Sequence, residues 1–458
     1  MKTTRRIFLK SGALTVASVG MAPSLGPMFL RAGAFAAEPN RARHKSGGKK
    51  ILICLFQRGA VDGLSMVVPH GDPYYYKHRT VNSPVANGIA IARTGEGGVF
   101  DLDGQFGLHP ALAPLLPIYK AGHLAAIQAC GSPNATRSHF DAQDYMESAV
   151  PGEKTVRDGW LTRALAACPE DRAKTETAFR AVAMTDRLPR SLHGRQEALA
   201  IPDLKTFDIG AAIRPGRKGG ATNNDGGFEA MYGSAVGKVT RGEGGDIAHS
   251  FEDSGGETID ALKIVRGLNA KPYNAANGAQ YPRGRFGESL QQIAQIIKAD
   301  VGLEIAFAEA GGWDTHANQG GAQGTLSRRL QEFAQGLAAL NADLGDRMSD
   351  VVVLTMSEFG RTVRQNGNGG TDHGHATCFF AMGGDVNGGR VLGDWPGLAP
   401  EQLYKGPGEI VGRDLAVTTD FRDVFGELAQ KHLGVTNLGA VFPEYQSSPQ
   451  NFRRVLRA

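Results

Sequence analysis

Nine acidic or histidine side chains stand after apolar segments or in glycine-rich turns of this sequence, where they could act together as metal ligands. They are Asp62, His139, Asp141, Asp314, His316, Glu358, Asp372, His373 and His375. Mixed carboxylate and imidazole donors suit Zn or Mn better than Mg alone. The set is large enough for one or two divalent ions, and two ions about 4 Å apart can hold the attacking and leaving oxygens of a phosphoryl-type transfer.

The densest group of these residues lies in 371–375, a Thr-Asp-His-Gly-His segment that follows a Gly/Asn loop. Such a segment either brings oxygen and imidazole donors to one point or forms a solvated turn whose polar groups bond only to backbone. A second Asp/His pair upstream, Asp314 with His316, favours the metal site. The sequence leaves open which histidine, His373 or His375, is the ligand.

Two further candidates have the same ambiguity between ligand and structural residue. Asp62 lies in a glycine turn after a strand-like run, where a carboxylate is equally suited to metal binding and to turn formation. His139 and Asp141 are two residues apart, so in an extended segment they would share a face. Each of these residues is as compatible with a structural role as with metal binding.

Hydroxyl and guanidinium groups near these donors are candidates for catalysis. Thr136 or Ser138 either caps the helix that follows or attacks an ester at a helix N-terminus, where negative charge is favoured. Arg58 either pairs with a bound anion or neutralises Asp62. Arg361 is the second candidate for holding an anion.

Four apolar runs are expected to position these residues as buried strands. They begin at Ile51, Leu124, Val301 and Val351. In an open α/β sheet, sites form at the carboxyl ends of such strands. The strand–helix–strand unit 301–354 predicts a parallel, right-handed crossover. Its helix carries one apolar stripe that we assign to the core: Leu326, Leu330, Phe333, Leu337, Leu340 and Leu344.

The first 36 residues have the features of an export signal. The segment 4–10 is a twin-arginine pattern, and an A-x-A cleavage site follows at 34–36. The apolar stretch between them is too interrupted for a stable membrane span. We therefore expect a signal peptide at 1–36, a polar linker at 37–49, passage through the twin-arginine translocase and a periplasmic or secreted mature protein.

The net charge of +4 is a property of this signal. The signal holds five basic residues and no acidic one, so the mature chain keeps 45 basic residues against 46 acidic ones, a net charge of −1. This balance gives no support for nucleic-acid binding.

The remainder is long enough for one α/β domain, 50–458, with a Gly-rich insertion at about 214–256. The four cysteines are scattered without a Cys-x-x-Cys pair, which favours buried free thiols over a disulfide. They are Cys54, Cys130, Cys168 and Cys378.

Five short motifs in this chain resemble those of the exported family catalogued as domain of unknown function 1501. The motifs are 58–64, 136–143, 312–316, 357–362 and 371–375. The resemblance covers nearly everything after the linker. That family resembles a remote branch of the alkaline phosphatase superfamily, which includes sulfatases and phosphodiesterases. The resemblance implies an α/β three-layer sandwich with a mostly parallel central sheet.

The superfamily's order of site residues is matched at five positions: Asp62; Thr136 or Ser138 as nucleophile; Asp314 with His316; Glu358; and His373 or His375. Three departures accompany the match. Asp314 and His316 are closer in sequence than usual, Glu358 stands where Asp is expected, and Phe359 stands where His is expected.

The resemblance and the donor set together predict an exported, metal-dependent hydrolase of phosphate or sulfate esters with a small anionic ester as substrate. The alternative is a non-catalytic, metal-stabilised secreted protein for binding or assembly on the same fold. Fold alone does not decide between them.

Overall fold

A computed structural model describes residues 49–79, 88–169, 177, 179–207, 264–269, 272–407 and 412–457. The expected signal peptide, nearly all of the linker and the Gly-rich insertion at about 214–256 lie outside the described residues. All described residues belong to the unit Gly48–Ala458.

Apolar runs with strong β propensity form the strands of this unit. In the described ranges they are β1 (Ile51–Gln57), β2 (Val67–Val68), β3 (Phe100–Asp101), β4 (Gly107–Leu108), β5 (Leu124–Gly131), β6 (Ala181–Ala183), β7 (Leu199–Ala200), β8 (Ile305–Ala310), β9 (Val351–Met356), β10 (Thr377–Gly383), β11 (Arg390–Leu392) and β12 (Thr419–Asp420).

Helices connect several of these strands, as βαβ crossovers require. They are α1 (Gly63–Met66), α2 (Pro73–Arg79), α3 (Leu116–Lys120), α4 (His139–Ser148), α5 (Trp160–Ala166), α6 (Arg285–Lys298), α7 (Thr325–Leu344), α8 (Phe421–Lys431) and α9 (Leu438–Val441). Three 3₁₀ turns cover Pro110–Leu115, Arg190–Leu192 and Gly345–Asp350.

The central sheet of the described chain has the strand order β11-β5-β10-β9-β1-β8-β6-β7, and β12 pairs with β5. Every pairing is parallel except those of β10 with β5 and β9. The prediction that four strands near Ile51, Leu124, Val301 and Val351 share one mostly parallel sheet is confirmed. β8 begins only at Ile305, because Gly302 has a φ of +90° and interrupts the extended backbone.

The direction of β10 decides which loops meet. Its first residue, Thr377, pairs with Cys130 near the carboxyl end of β5. The segment that enters β10 therefore lies at the same sheet edge as the carboxyl ends of β1, β5, β8 and β9. The polar residues of five chain segments therefore lie at that edge.

Alternate residues of β1 enter two separate hydrophobic cores, as the two-residue period of a strand requires. Ile53 and Leu55 pack in the core that includes α6 and α7, whereas Cys54 and Phe56 pack in the core that includes α5 and α8. The result is three layers, helices on both faces of one sheet, so the predicted α/β fold class is confirmed. The apolar stripe of α7 is buried throughout, and all four cysteines are buried free thiols.

Within the described residues, no helix is both long enough and apolar enough to cross a membrane.

Candidate metal centre

Four side chains bring their donor atoms together at this sheet edge. One donor atom each from His139, Asp314 and His373 lies within 4.8 Å of the other two. The Nε2 atoms of His139 and His373 are 3.0 Å apart, and His373 Nε2 is 3.2 Å from Asp314 Oδ1. His316 Nε2 lies 2.9 Å from His373 Nε2 and 2.9 Å from Asp314 Oδ1. We call these four residues the donor group.

Three chain segments supply the donor group. His139 is the first residue of α4, which follows β5. Asp314 and His316 lie in the loop after β8, and His373 lies between β9 and β10. The β1 loop comes so close that a Cβ on Gly59 would lie 2.8 Å from the main-chain N of Asp314. Gly59 also has a φ of +115°, so this contact requires glycine.

Each imidazole of the donor group bonds outward through its other nitrogen, Nδ1, to an oxygen acceptor. The partners are Glu358 Oε1 at 2.8 Å from His139, Asp372 Oδ1 at 3.0 Å from His316, and the Arg137 carbonyl at 2.8 Å from His373. These acceptors carry no proton, so each Nδ1 carries one. A neutral ring then presents its Nε2 lone pair inward, which is the arrangement of metal-binding histidines.

The donor group fits a divalent ion by distance as well as by chemistry. Ligand atoms that each lie about 2.1 Å from a metal ion are about 3.0 Å from one another in octahedral geometry and about 3.4 Å in tetrahedral geometry. The donor distances given above, together with 3.5 Å between His139 Nε2 and Asp314 Oδ2, span 2.9–3.5 Å. Lone pairs at this spacing repel one another, and either a bound cation or a proton shared between two of the donors removes that repulsion. Three imidazoles and one carboxylate suit Zn or Mn.

Arg361 orients the carboxylate of the donor group. Its side chain is buried, and its Nη1 donates to Asp314 Oδ1 at 2.6 Å. The same guanidinium donates to the hydroxyl and the carbonyl of Thr371. Burial opposes ionisation of Asp314, but the hydrogen bond and charge of Arg361 hold the pKa of that carboxyl below its usual value.

Glu358 and Asp372 are hydrogen-bonded to the outward Nδ1 atoms of His139 and His316. Glu358 is buried, and it also accepts from Gly59 N and Gln143 Nε2 at 2.9 Å each. Burial would raise the pKa of Glu358, but the hydrogen bonds from His139 and Gln143 lower it. The bond to Glu358 in turn raises the pKa of His139. These two carboxylates therefore fix ligand rings.

The structure does not bring Asp62 into the donor group. Asp62 is fully buried, and Arg79 holds both its oxygens, at 2.6 and 2.9 Å. Ser65 and Gln319 donate to it as well. Burial raises the pKa of this carboxyl, but Arg79 outweighs burial and lowers it. Asp62 therefore belongs to a buried ion pair with Arg79. Arg79 lies 17 residues further along the chain and is in none of the five motifs.

Arg58 takes neither of its two expected roles. It forms ion pairs with Glu147 at 2.9 Å and Glu309 at 2.5 Å, and it donates to Gln143 at 3.0 Å. Two carboxylates neutralise it, so it is not free to hold an anion. Gln143 links Arg58 to Glu358, a role that sequence reasoning missed although Gln143 ends one of the five motifs.

Asp141 and His375 also lie apart from the donor group. Asp141 pairs with Lys154. It does not share a face with His139 because Ser138 caps α4 and starts the helix at His139, where residues two apart diverge. His375 is buried against Tyr404, with ring centroids 4.2 Å apart. Burial lowers its pKa to about 4, and its Nε2 has no hydrogen bond within the described structure.

The two candidate nucleophiles both accept hydrogen bonds from the main chain. Ser138 Oγ accepts from Asp141 N at 3.4 Å, as the N-cap of α4. Thr136 Oγ1 accepts from Ser138 N at 3.3 Å. Both hydroxyls therefore stabilise the turn that presents His139.

The fold and the donor group define an α/β protein with a candidate transition-metal centre. A family model described as "Protein of unknown function (DUF1501)" matches residues 269–444, which include Asp314, His316 and His373 but not His139. Among solved structures, the chain is similar to the PsFucS1 sulfatase from Pseudoalteromonas sp., with 12% identity, 90% of this chain and 74% of that chain covered, and a TM-score of 0.35. No curated protein matches the chain.

Proposed function

We propose that this protein is an exported, metal-dependent hydrolase of phosphate or sulfate esters. One Zn- or Mn-type ion is held by His139, Asp314, His316 and His373. The observation that carries the proposal is the inward convergence of three Nε2 atoms and a carboxylate, with every Nδ1 committed to an outward acceptor.

An ion in this position would act as a Lewis acid on an ester oxygen and lower the pKa of water. The chain's own residues supply orientation. Arg361 fixes Asp314, and Glu358 fixes His139. The side chains of the donor group are 22–44% exposed, so a substrate can reach them. We assign the attack on the ester to water, because the hydroxyls of Ser138 and Thr136 both accept hydrogen bonds from main-chain amides.

The second candidate is a non-catalytic, metal-stabilised secreted protein for binding or assembly. It is favoured by the state of the two arginines expected to hold an anion. Arg58 and Arg361 both form ion pairs with carboxylates.

Metal analysis combined with a hydrolysis screen tests the proposal. We expect about one Zn or Mn per chain in the purified protein and turnover of an aryl phosphate or an aryl sulfate. His373→Ala removes one inward donor, so bound metal and turnover should fall together by at least about tenfold. His123→Ala, at a half-buried histidine just before the amino end of β5 and so at the opposite sheet edge, is the matched control and should change neither. Metal without turnover of any ester supports the second candidate, and unchanged metal in His373→Ala refutes both.

A further inference from the structure

An open cavity of about 540 Å³ lies beside the first turn of α4. Phe140 and Asp141, which line it, directly follow His139 in the chain. Arg157 and Arg190 also line it. Small-molecule sites have volumes of roughly 300–1,000 Å³. The cavity and the donor group therefore share one helical turn, and the cavity is large enough for part of a substrate.

Phe140 presents an apolar ring to this cavity. The residue is 91% exposed, and among the described residues no other large hydrophobic side chain is classed as exposed. Exposed aromatic surface is unfavourable in water, and a ring face readily stacks on another flat ring. Phe140 therefore offers a stacking surface beside a metal ligand.

The cavity also carries an unmatched positive charge. Lys154 pairs with Asp141, and Arg190 pairs with Asp144 at 2.9 Å. In the described part of the chain, the Arg157 side chain has neither a hydrogen bond nor an ion pair, and it is exposed. Three cationic side chains face two carboxylates here, so one guanidinium remains for a ligand. A guanidinium binds a carboxylate through two parallel hydrogen bonds.

The main chain that carries Arg157 is tied to α4. The Arg190 guanidinium donates to the carbonyls of Val156 and Arg157 while it pairs with Asp144 on α4. Next to it, the amide and hydroxyl of Ser191 both donate to Glu147 on the same helix at 2.9 Å. The main-chain segments that carry the cation and the aromatic ring are therefore joined to each other, so binding has to order only the two side chains.

We infer that this cavity binds the alcohol part of the substrate, a flat ring that carries its own carboxylate. Phe140 lies against the ring, and Arg157 pairs with the carboxylate, while the ester group reaches the donor group. This inference rests on the proposed ester hydrolysis and adds the substrate class to it. Phe140 and Arg157 act in binding and in specificity.

Phosphonates, which hydrolysis does not consume, separate the two contacts in a calorimetric titration of the metal-loaded protein. The probes are methylphosphonate, benzylphosphonate and 4-carboxybenzylphosphonate. Phe140→Ala should weaken the two ring-bearing probes about tenfold and leave methylphosphonate unchanged. Arg157→Gln should weaken only the carboxylated probe, also about tenfold.

Arg328→Gln, an exposed arginine on α7, is the matched control and should leave all three probes unchanged. Both test residues are exposed, so melting temperatures should stay at the wild-type value. Equal effects on all three probes, or no effect on any, would overturn the inference. Failure of the proposed hydrolysis looks different: no ester is turned over and methylphosphonate does not bind, yet the carboxylated probe still responds to both variants.

Discussion

The histidines of this protein differ in what their ring nitrogens contact, and that difference separates candidate ligands from packing residues. His139, His316 and His373 bond outward through Nδ1 and direct their Nε2 atoms at one point. His375, two residues beyond His373, is buried against an aromatic ring. The Gly374 between them packs so closely that a Cβ would lie 2.4 Å from the Arg361 backbone. The turn there sends the two rings to different environments.

His109 is a buried neutral histidine, and it predicts a pH dependence of stability. Its Nδ1 accepts from Ala111 N at 2.9 Å, so the ring is neutral, and burial lowers its pKa to about 4. The unfolded chain takes up a proton near the ordinary pKa of about 6.5. Between about pH 6.5 and pH 4 only the unfolded state is protonated, so stability falls as pH falls, by at most about 3 kcal/mol.

Urea unfolding at pH 7.5 and pH 4.5 measures this contribution. His109→Asn keeps an acceptor for the Ala111 amide but does not titrate. We expect the loss of unfolding free energy between the two pH values to be smaller in the variant. An equal loss in both proteins would show that His109 is not responsible.

At the scale of elements, the start of α4 determines where His139 points. Ser138 has extended dihedral angles and caps the helix, so His139 occupies its first position. In an extended segment His139 and Asp141 would share a face, but the cap at Ser138 places both residues in the first turn of the helix. As a result, His139 points to the donor group and Asp141 pairs with Lys154.

Ser138 variants separate a capping hydroxyl from a nucleophile. Ser138→Ala should lower the free energy of unfolding by about 1 kcal/mol because the cap is lost. Asn is an equally good N-cap, so Ser138→Asn should restore the stability. If water is the attacking group, turnover should also return in the Asn variant. Restored stability without turnover would identify Ser138 as the nucleophile.

At the scale of the whole molecule, a buried hydrogen-bonded path connects the ion pair under the sheet edge to the donor group. Asp62 accepts from Gln319, whose Oε1 accepts from Thr371 at 2.7 Å. Thr371 accepts from Arg361, which donates to Asp314. This path joins three loops, those after β1, after β8 and between β9 and β10.

Arg79→Leu should destabilise the protein by about 3–5 kcal/mol, because it leaves the Asp62 carboxylate buried without its cation. The double variant Asp62→Asn with Arg79→Leu removes both charges and should recover part of that loss. Thermal or urea unfolding checks both. Metal content of the folded double variant should stay near the wild-type value, and its disappearance would return Asp62 to the list of metal ligands.

Export is a prediction that concerns the chain outside the described residues. If 4–10 is a twin-arginine signal, the double variant Arg5→Lys with Arg6→Lys should accumulate in the cytoplasm, because the paired guanidinium groups are the recognised feature. Cell fractionation with an antibody to the protein measures this. Normal periplasmic amounts of the double variant would exclude the twin-arginine route.

The sequence alone determined the fold class, the buried strands and the apolar stripe of α7, because these depend on the periodicity of neighbouring residues. It also placed His139, Asp314, His316 and His373 among the candidates, since strand ends are recognisable locally.

Tertiary structure alone decided which of these candidate side chains meet. The charge partner of a carboxylate sets its role, and that partner is often distant in sequence: His139 bonds to Glu358, 219 positions away. The direction of β10, which brings His373 to the site, is likewise fixed by pairing with β5 and β9, and no local pattern encodes it.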